Sequence, residues 1–180
     1  MISGGRDQNG SALASSELYD PLTGLWSNTS NPMNFARRDH IAVKLNDGKV
    51  LVAGGREGMG SPTNSSELFN PADQTWTTVG LMVSSRTYHA AVLLNDGKVL
   101  VTGGQDDLGS TLMTSELFTP GANTWAAASV MSAARKHHAI AKLNDGKVLV
   151  MGGISGSGLG SSLITSDIYN PSGPSWAAAG

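Results

Sequence analysis

The sequence predicts an all-β protein built from near-copies of one unit, and three observations predict it. Doublets at Gly4-Gly5, Gly54-Gly55, Gly103-Gly104 and Gly152-Gly153 recur at spacings of 50, 49 and 49, and Trp26, Trp76, Trp125 and Trp176 follow at 50, 49 and 51. A fixed period of this size marks supersecondary units stacked side by side. Short apolar runs alternate with Gly, Pro, Asn and Asp, and no segment carries a helical period. The copies are also close. From Arg37 to Trp76 against Arg86 to Trp125, 23 of 40 positions are identical, and Asn-Asp-Gly-Lys-Val-Leu-Val stands unchanged at 46–52, 95–101 and 144–150.

The second unit serves for all. His40 to Leu45 is β-rich and mostly apolar, and reads as a first, inner strand A. Asn46-Asp47-Gly48-Lys49 follows; Asp-Gly between two apolar runs predicts a two-residue hairpin with both central residues at positive φ. Val50 to Ala53 is apolar on both faces, so strand B is covered on both sides. Gly54-Gly55 ends it and permits close backbone approach. A polar loop over 56–65 leads to strand C, Ser66-Glu67-Leu68-Phe69. Asn70-Pro71-Ala72-Asp73 is a turn with Pro setting φ, and Gln74-Thr75-Trp76-Thr77 is strand D. One repeat domain over 1–180 thus divides into a partial unit at 1–28, holding strands B to D, and full units at 37–78, 86–127 and 135–178. About fifteen strands are expected.

Composition excludes several functions. The 180 residues carry a net charge of −2, and basic residues are scattered, which gives no electrostatic basis for binding nucleic acid or an anionic membrane. No apolar run approaches the length of a membrane span. With no cysteine there is no disulfide framework, no Cys-based zinc site and no Cys nucleophile. The opening Met-Ile-Ser-Gly-Gly lacks the regions of a signal peptide.

Each doublet is followed by Glu-x-Tyr/Phe (Asp in the last), Pro two residues on, and Trp five later. The matching residues are Glu17/Tyr19/Pro21/Trp26, Glu67/Phe69/Pro71/Trp76, Glu116/Phe118/Pro120/Trp125 and Asp167/Tyr169/Pro171/Trp176. This pattern resembles the kelch repeat over nearly the whole chain, most closely the bacterial repeats related to the galactose oxidase propeller. The resemblance implies a β-propeller whose blades are four-stranded antiparallel sheets, used mostly as a recognition scaffold and occasionally as an enzyme. It also implies a departure. Family propellers have more blades than this chain supplies, and the strand A that completes the N-terminal blade is missing. A ladder bond contributes roughly 0.5–1.5 kcal/mol net and each buried apolar side chain roughly 1.5–3 kcal/mol. A missing strand therefore rivals a domain stability of about 5–15 kcal/mol. The expectation is a fragment of a longer bacterial parent, secreted or on the cell surface, or a chain that self-associates through its open edges.

Repetition assigns most notable residues to the scaffold. Arg37, Arg86 and Arg135 precede each first glycine by 17 residues, and pairing with Glu67, Glu116 or Asp167 is expected. His40, His89 and His138 head strand A; a metal ring is the sharp reading, and a hydrogen-bonded framework the favoured one. Trp26, Trp76, Trp125 and Trp176 read as packing between units rather than sugar-stacking platforms. Gly54, Gly55, Gly103, Gly104, Gly152 and Gly153 are structural. Lys49, Lys98 and Lys147 are solvated turn residues. The loops at 6–10 and 105–109 are Asp/Gly-rich but lack an EF-hand pattern, so no metal or other cofactor is expected. Asn9, Asn28 and Asn64 match the glycosylation sequon.

Function is sought where the copies differ. In an up-and-down sheet the A–B and C–D turns share one end, and the B–C and D–A loops share the other. The A–B turn hardly varies. The last B–C loop has 13 residues between its doublet and Asp167, against 11 in the other three. The two residues after each repeated arginine also change: Arg38-Asp39, Thr87-Tyr88 and Lys136-His137. Variable loops on a rigid scaffold are where binding sits, so Asp39, Arg56, Tyr88, Gln105, Asp106 and His137 are the candidate ligand-binding residues. The expected function is non-catalytic recognition of a protein or glycan. The alternative is a fragment of a propeller enzyme, galactose oxidase-like or sugar isomerase-like, whose active site needs parts outside this chain. A third reading is a purely structural segment.

Overall fold

The computed structural model describes residues 1–58, 60–157 and 160–179. Gly180, the last residue of the expected domain, lies outside them. The described residues contain strands and turns and no helix.

The first sheet has three strands, β1 (Ile2–Ser3), β2 (Ser16–Asp20) and β3 (Leu25–Asn28), in that order. A two-residue ribbon follows, in which β4 (Arg37–Arg38) pairs with β7 (Arg56–Glu57). The second sheet runs β5 (Ile41–Lys44), β6 (Val50–Ala53), β8 (Ser66–Asn70) and β9 (Thr75–Thr78). The third is β10 (Ala90–Leu93), β11 (Val99–Thr102), β12 (Ser115–Thr119) and β13 (Thr124–Ala127). The fourth is β14 (Ala139–Lys142), β15 (Val148–Met151), β18 (Ser166–Asn170) and β19 (Ser175–Ala178), with a ribbon of β16 (Ile154–Ser155) and β17 (Ser161–Ser162) between. Every pairing is antiparallel. The fifteen strands of the large sheets match the sequence pattern, and the four ribbon strands β4, β7, β16 and β17 are additional.

The hairpin turn differs from expectation. Leu45 N–H donates to Lys49 O (2.8 Å) and Gly48 N–H to Leu45 O (3.1 Å), which makes Asn46-Asp47-Gly48 a three-residue loop. Only Gly48 has positive φ (86°); Asp47 does not. A type I turn closed by a left-handed glycine also matches strand twist. The same bonds recur at Leu94–Lys98 and Leu143–Lys147.

Apolar side chains fill three layers between consecutive sheets. Met33, Val52, Phe69 and Trp76 close on Ala14 and Leu18 of the first repeat. Leu45, Leu51, Ala53 and Leu68 of the second sheet pack on Val99, Val101 and Phe118 of the third. Leu94 and Leu100 pack on Val148, Tyr169 and Trp176 of the fourth. Each Trp tilts against its cross-strand aromatic, with ring centroids 5.0–5.2 Å apart. Trp125 Nε1 donates to Ser66 Oγ (3.0 Å), and Trp176 Nε1 to Ser115 Oγ (3.1 Å), each in the preceding sheet. Trp26 is 50% exposed, so the packing between units expected of all four tryptophans is not made by this one among the described residues. The inner strands stand side by side, β5 beside β10 and β10 beside β14, and no comparable contact joins the fourth sheet to the first among the described residues.

Candidate functional site

The loop end rests on a buried ion pair in each complete repeat. Arg37 pairs with Glu67 (2.9 Å), Arg86 with Glu116 (2.6 Å) and Arg135 with Asp167 (2.9 Å), with side chains at most 2% exposed. Isolated charges at that depth would be prohibitive, and the surroundings complete them. Arg86 Nη1 also donates to Gly103 O, and Glu116 accepts from the Val83 and Ser84 amides. Burial lowers the Arg86 pKa, while Glu116 opposes that shift. These groups bind one another and hold the D–A connection; they do not face a ligand.

The glycine doublets have a geometric cause. A Cβ at Gly54 would stand 2.6 Å from Arg86 O and 2.7 Å from His89 Cε1 of the next repeat. A Cβ at Gly104 would stand 2.7 Å from Thr87 O and 2.9 Å from His89 Cβ of its own repeat. The second glycine also donates its amide onward: Gly5 to Arg37 O, Gly55 to Arg86 O and Gly104 to Arg135 O, each 2.9 Å. In the fourth repeat, a Cβ at Gly153 would stand 2.7 Å from Lys136 O, whereas one at Gly152 would meet only Leu163 O at 3.6 Å.

The three repeated histidines are framework residues. His89 Nε2 donates to Ala53 O (3.2 Å), and His138 Nε2 lies 2.8 Å from Thr102 Oγ1, again in the preceding sheet. His40 Nε2 lies 3.5 Å from Ser3 Oγ. Burial, reinforced by the neighbouring arginine, lowers His40 and His138 to about 4 and His89 well below its usual value. Among the described residues, no group of three or more His, Cys, Asp or Glu could hold a metal ion.

Above this layer the variable residues meet. Asp39, Tyr88 and His137 occupy the same repeat position and all adopt left-handed backbone, at φ 56°, 57° and 53°. The D–A and B–C loops are bridged at Arg38–Arg56, Thr87–Gln105 and Lys136–Ile154. His137 N–H donates to Tyr88 O (3.0 Å) across repeats. The Tyr88 and His137 rings then stack, with centroids 4.2 Å apart and planes 30° apart. The Arg56 guanidinium carbon lies 5.5 Å from the Tyr88 centroid. Asp39 pairs with Arg38 at 2.9 Å.

Of the six candidates, Arg56, Tyr88 and His137 form one ladder, and Asp39 stands at the equivalent position beside Arg38. Gln105 and Asp106 differ. Gln105 Nε2 donates to Gly109 O (2.8 Å), and Asp106 Oδ1 accepts from the Leu108 and Ser110 amides, so both brace their own loop. Asp7 does the same for residues 9 and 11. Sequence reasoning passed over Arg38 and Lys136, although both lie in the variable pairs after the arginines. Lys136 is 5% exposed.

Clefts also lie at the opposite end. One of about 320 Å³ is lined by Asn95, Asp96, Asp145, Gly146, Asn170, Pro171 and Ser172. A second, lined by Asn46, Asp47, Asp96, Gly97, Thr119 and Pro120, is its counterpart one repeat earlier. They are gaps between turns, which recur with the repeat and gather no cluster of cations or stacked rings. The ladder, where divergent residues of adjacent repeats meet, is the better candidate.

The geometry defines a class: consecutive four-stranded antiparallel sheets tied by Arg–carboxylate pairs, glycine doublets and inter-sheet tryptophans. Residues 37–82, one of these repeats, match the kelch motif. No curated protein matches the chain.

Proposed function

We propose that the sheets are blades of a kelch-type propeller, the first lacking its innermost strand, and that the chain is a non-catalytic scaffold recognising a protein or glycan through its loop end. One observation carries this reading. A repeated scaffold presents a different side chain at one strained position in each complete repeat, and two of these, Tyr88 and His137, stack. Non-glycine residues in left-handed backbone cost of order 1–3 kcal/mol each and cluster at functional sites. A galactose oxidase-like reaction is disfavoured because its copper site uses a cysteine cross-linked to tyrosine, and this chain has no cysteine.

The test is an array of glycans and peptides probed with the chain, with Tyr88→Ala, and with the turn-end control Lys98→Ala. Capture is expected to survive Lys98→Ala and disappear with Tyr88→Ala. Capture lost only in the turn-end variant would move the site to the other end. Substrate turnover with added copper would replace recognition by catalysis.

The first blade also presents an apolar face for self-association. Ile2, Tyr19 and Trp26 share it by register and are 48–56% exposed, where later repeats bury the equivalent Trp76 against a neighbouring sheet. Light scattering of the chain and of Trp26→Ser decides this: concentration-dependent association is expected in the first and reduced in the second.

A further inference from the structure

We propose that the loop-end ladder selects a carboxylate-bearing sugar, a uronate, with Arg56 and Lys136 supplying the cations and the Tyr88–His137 stack supplying the platform. This deepens the recognition reading above and rests on it.

The first ground is unbalanced charge. The carboxylates around the ladder already have donors. Asp39 holds Arg38, Glu57 Oε1 accepts from Ser65 Oγ, Asp106 accepts two amides of its own loop, and Asp107 accepts from Ser85 Oγ. The cations do not have matching acids. Neither Arg56 nor Lys136 makes an ion pair with a carboxylate among the described residues. Arg56 Nε is buried without an acceptor there, and Lys136 is only 5% exposed. A cation with no carboxylate partner favours an incoming anion, and guanidinium suits a planar carboxylate that accepts two hydrogen bonds.

The second ground is the backbone. A glycine would occupy the position of Tyr88 and His137 without strain. Aromatic rings stand there instead, on residues at φ 57° and 53°, and they stack into one step with Tyr88 half-buried and His137 exposed. One face of Tyr88 meets His137 and Arg56 is set over its ring, so the stack is held before a ligand arrives and little rotamer freedom remains to be lost. A pyranose ring offers a flat C–H face to such a step while its carboxylate reaches the cations. An acidic peptide side chain offers the carboxylate on a flexible stem with no flat face.

The experiment is calorimetry of the 180-residue chain with trigalacturonate, its methyl ester and a glutamate peptide of equal charge. Trigalacturonate is expected to bind at least tenfold tighter than either. Arg56→Gln and Lys136→Met, each checked for an unchanged circular dichroism spectrum, are expected to weaken it at least tenfold, and Lys98→Ala to leave it unchanged. The proposal is overturned if the ester or the peptide binds as well as the acid, if no uronate binding is detected, or if folded Arg56→Gln binds like the parent. The ester comparison needs no variant and stands even if the substitutions unfold the chain. Recognition itself survives such a failure if the array yields a neutral ligand whose capture still depends on Tyr88.

Discussion

At the turn end of the complete sheets, each unit closes on itself. Asp47, Asp96 and Asp145 accept the amide two residues on and pair with Lys49, Lys98 and Lys147 at 2.9–3.2 Å, with all six side chains 41–52% exposed. At the loop end, charges are fully buried, backbone is strained and neighbouring units share bonds. The A–B turns at the first end are nearly invariant, and the loops at the second diverge. Identity between copies therefore does not track energetic weight. The most faithfully copied turn contributes little beyond ending a hairpin, while the loop end combines a repeated buried anchor with residues free to differ directly above it.

The largest expected difference follows from the anchor. Glu116→Ala leaves Arg86 charged and buried without its partner, and should lower stability by about 3–5 kcal/mol. Urea unfolding measures this; a change below about 1 kcal/mol would contradict the buried-pair account. Gly104→Ala comes next. It must place a Cβ against Thr87 O at φ 101°, and a loss of about 1–3 kcal/mol is expected. Gly121→Ala, also at positive φ but with no neighbour within 4 Å, should lose less, which separates crowding from backbone strain.

Acid should weaken the loop end selectively. The buried histidines stay neutral, so the unfolded chain binds more protons below about pH 6.5. Stability is complete above that value and falls as pH drops. The contribution of His40 and His138 levels off near their folded values of about 4. Denaturation midpoints at pH 7 and pH 4.5 measure the fall, and His138→Gln should reduce it. A midpoint flat over that range would mean the imidazoles are already protonated in the fold. The smallest effect belongs to the turn end. Lys98→Ala removes an exposed pair worth roughly 0–1 kcal/mol and should shift the midpoint barely at all; a large shift would erase the contrast between the two ends.

The sheets were legible because their signals repeat. Val50-Leu51-Val52-Ala53 before Gly54-Gly55 admits one reading, and two more copies remove doubt about register. The hairpin type was less legible, because Asp47-Gly48 fits both a two- and a three-residue loop until Leu45 is seen bonding Lys49. The ribbons of β4 with β7 and β16 with β17 have no periodic pattern, since two residues cannot show one. That Gln105 and Asp106 brace their own loop was not legible for a different reason. Sequence shows that a loop is polar, not whether its polar groups bond one another. The stack of Tyr88 on His137 was within reach, because residues 49 apart in adjacent copies must be spatial neighbours, and two rings at that offset should touch.

The glycine-to-arginine bond between repeats bears on how such a chain changes length. Gly55 reaches Arg86 O, and Arg86 in turn reaches Gly103 and Glu116. Each arginine thus holds the unit before it with its main chain and its own unit with its side chain. All these partners lie within about one repeat length in sequence. A genetic crossover between the identical heptapeptides at 46–52 and 95–101 would insert or delete one whole unit and leave every such bond with a correct partner. The loop-end residues would be shuffled with it, so the same event that alters the number of units also creates a new order of side chains along the ladder.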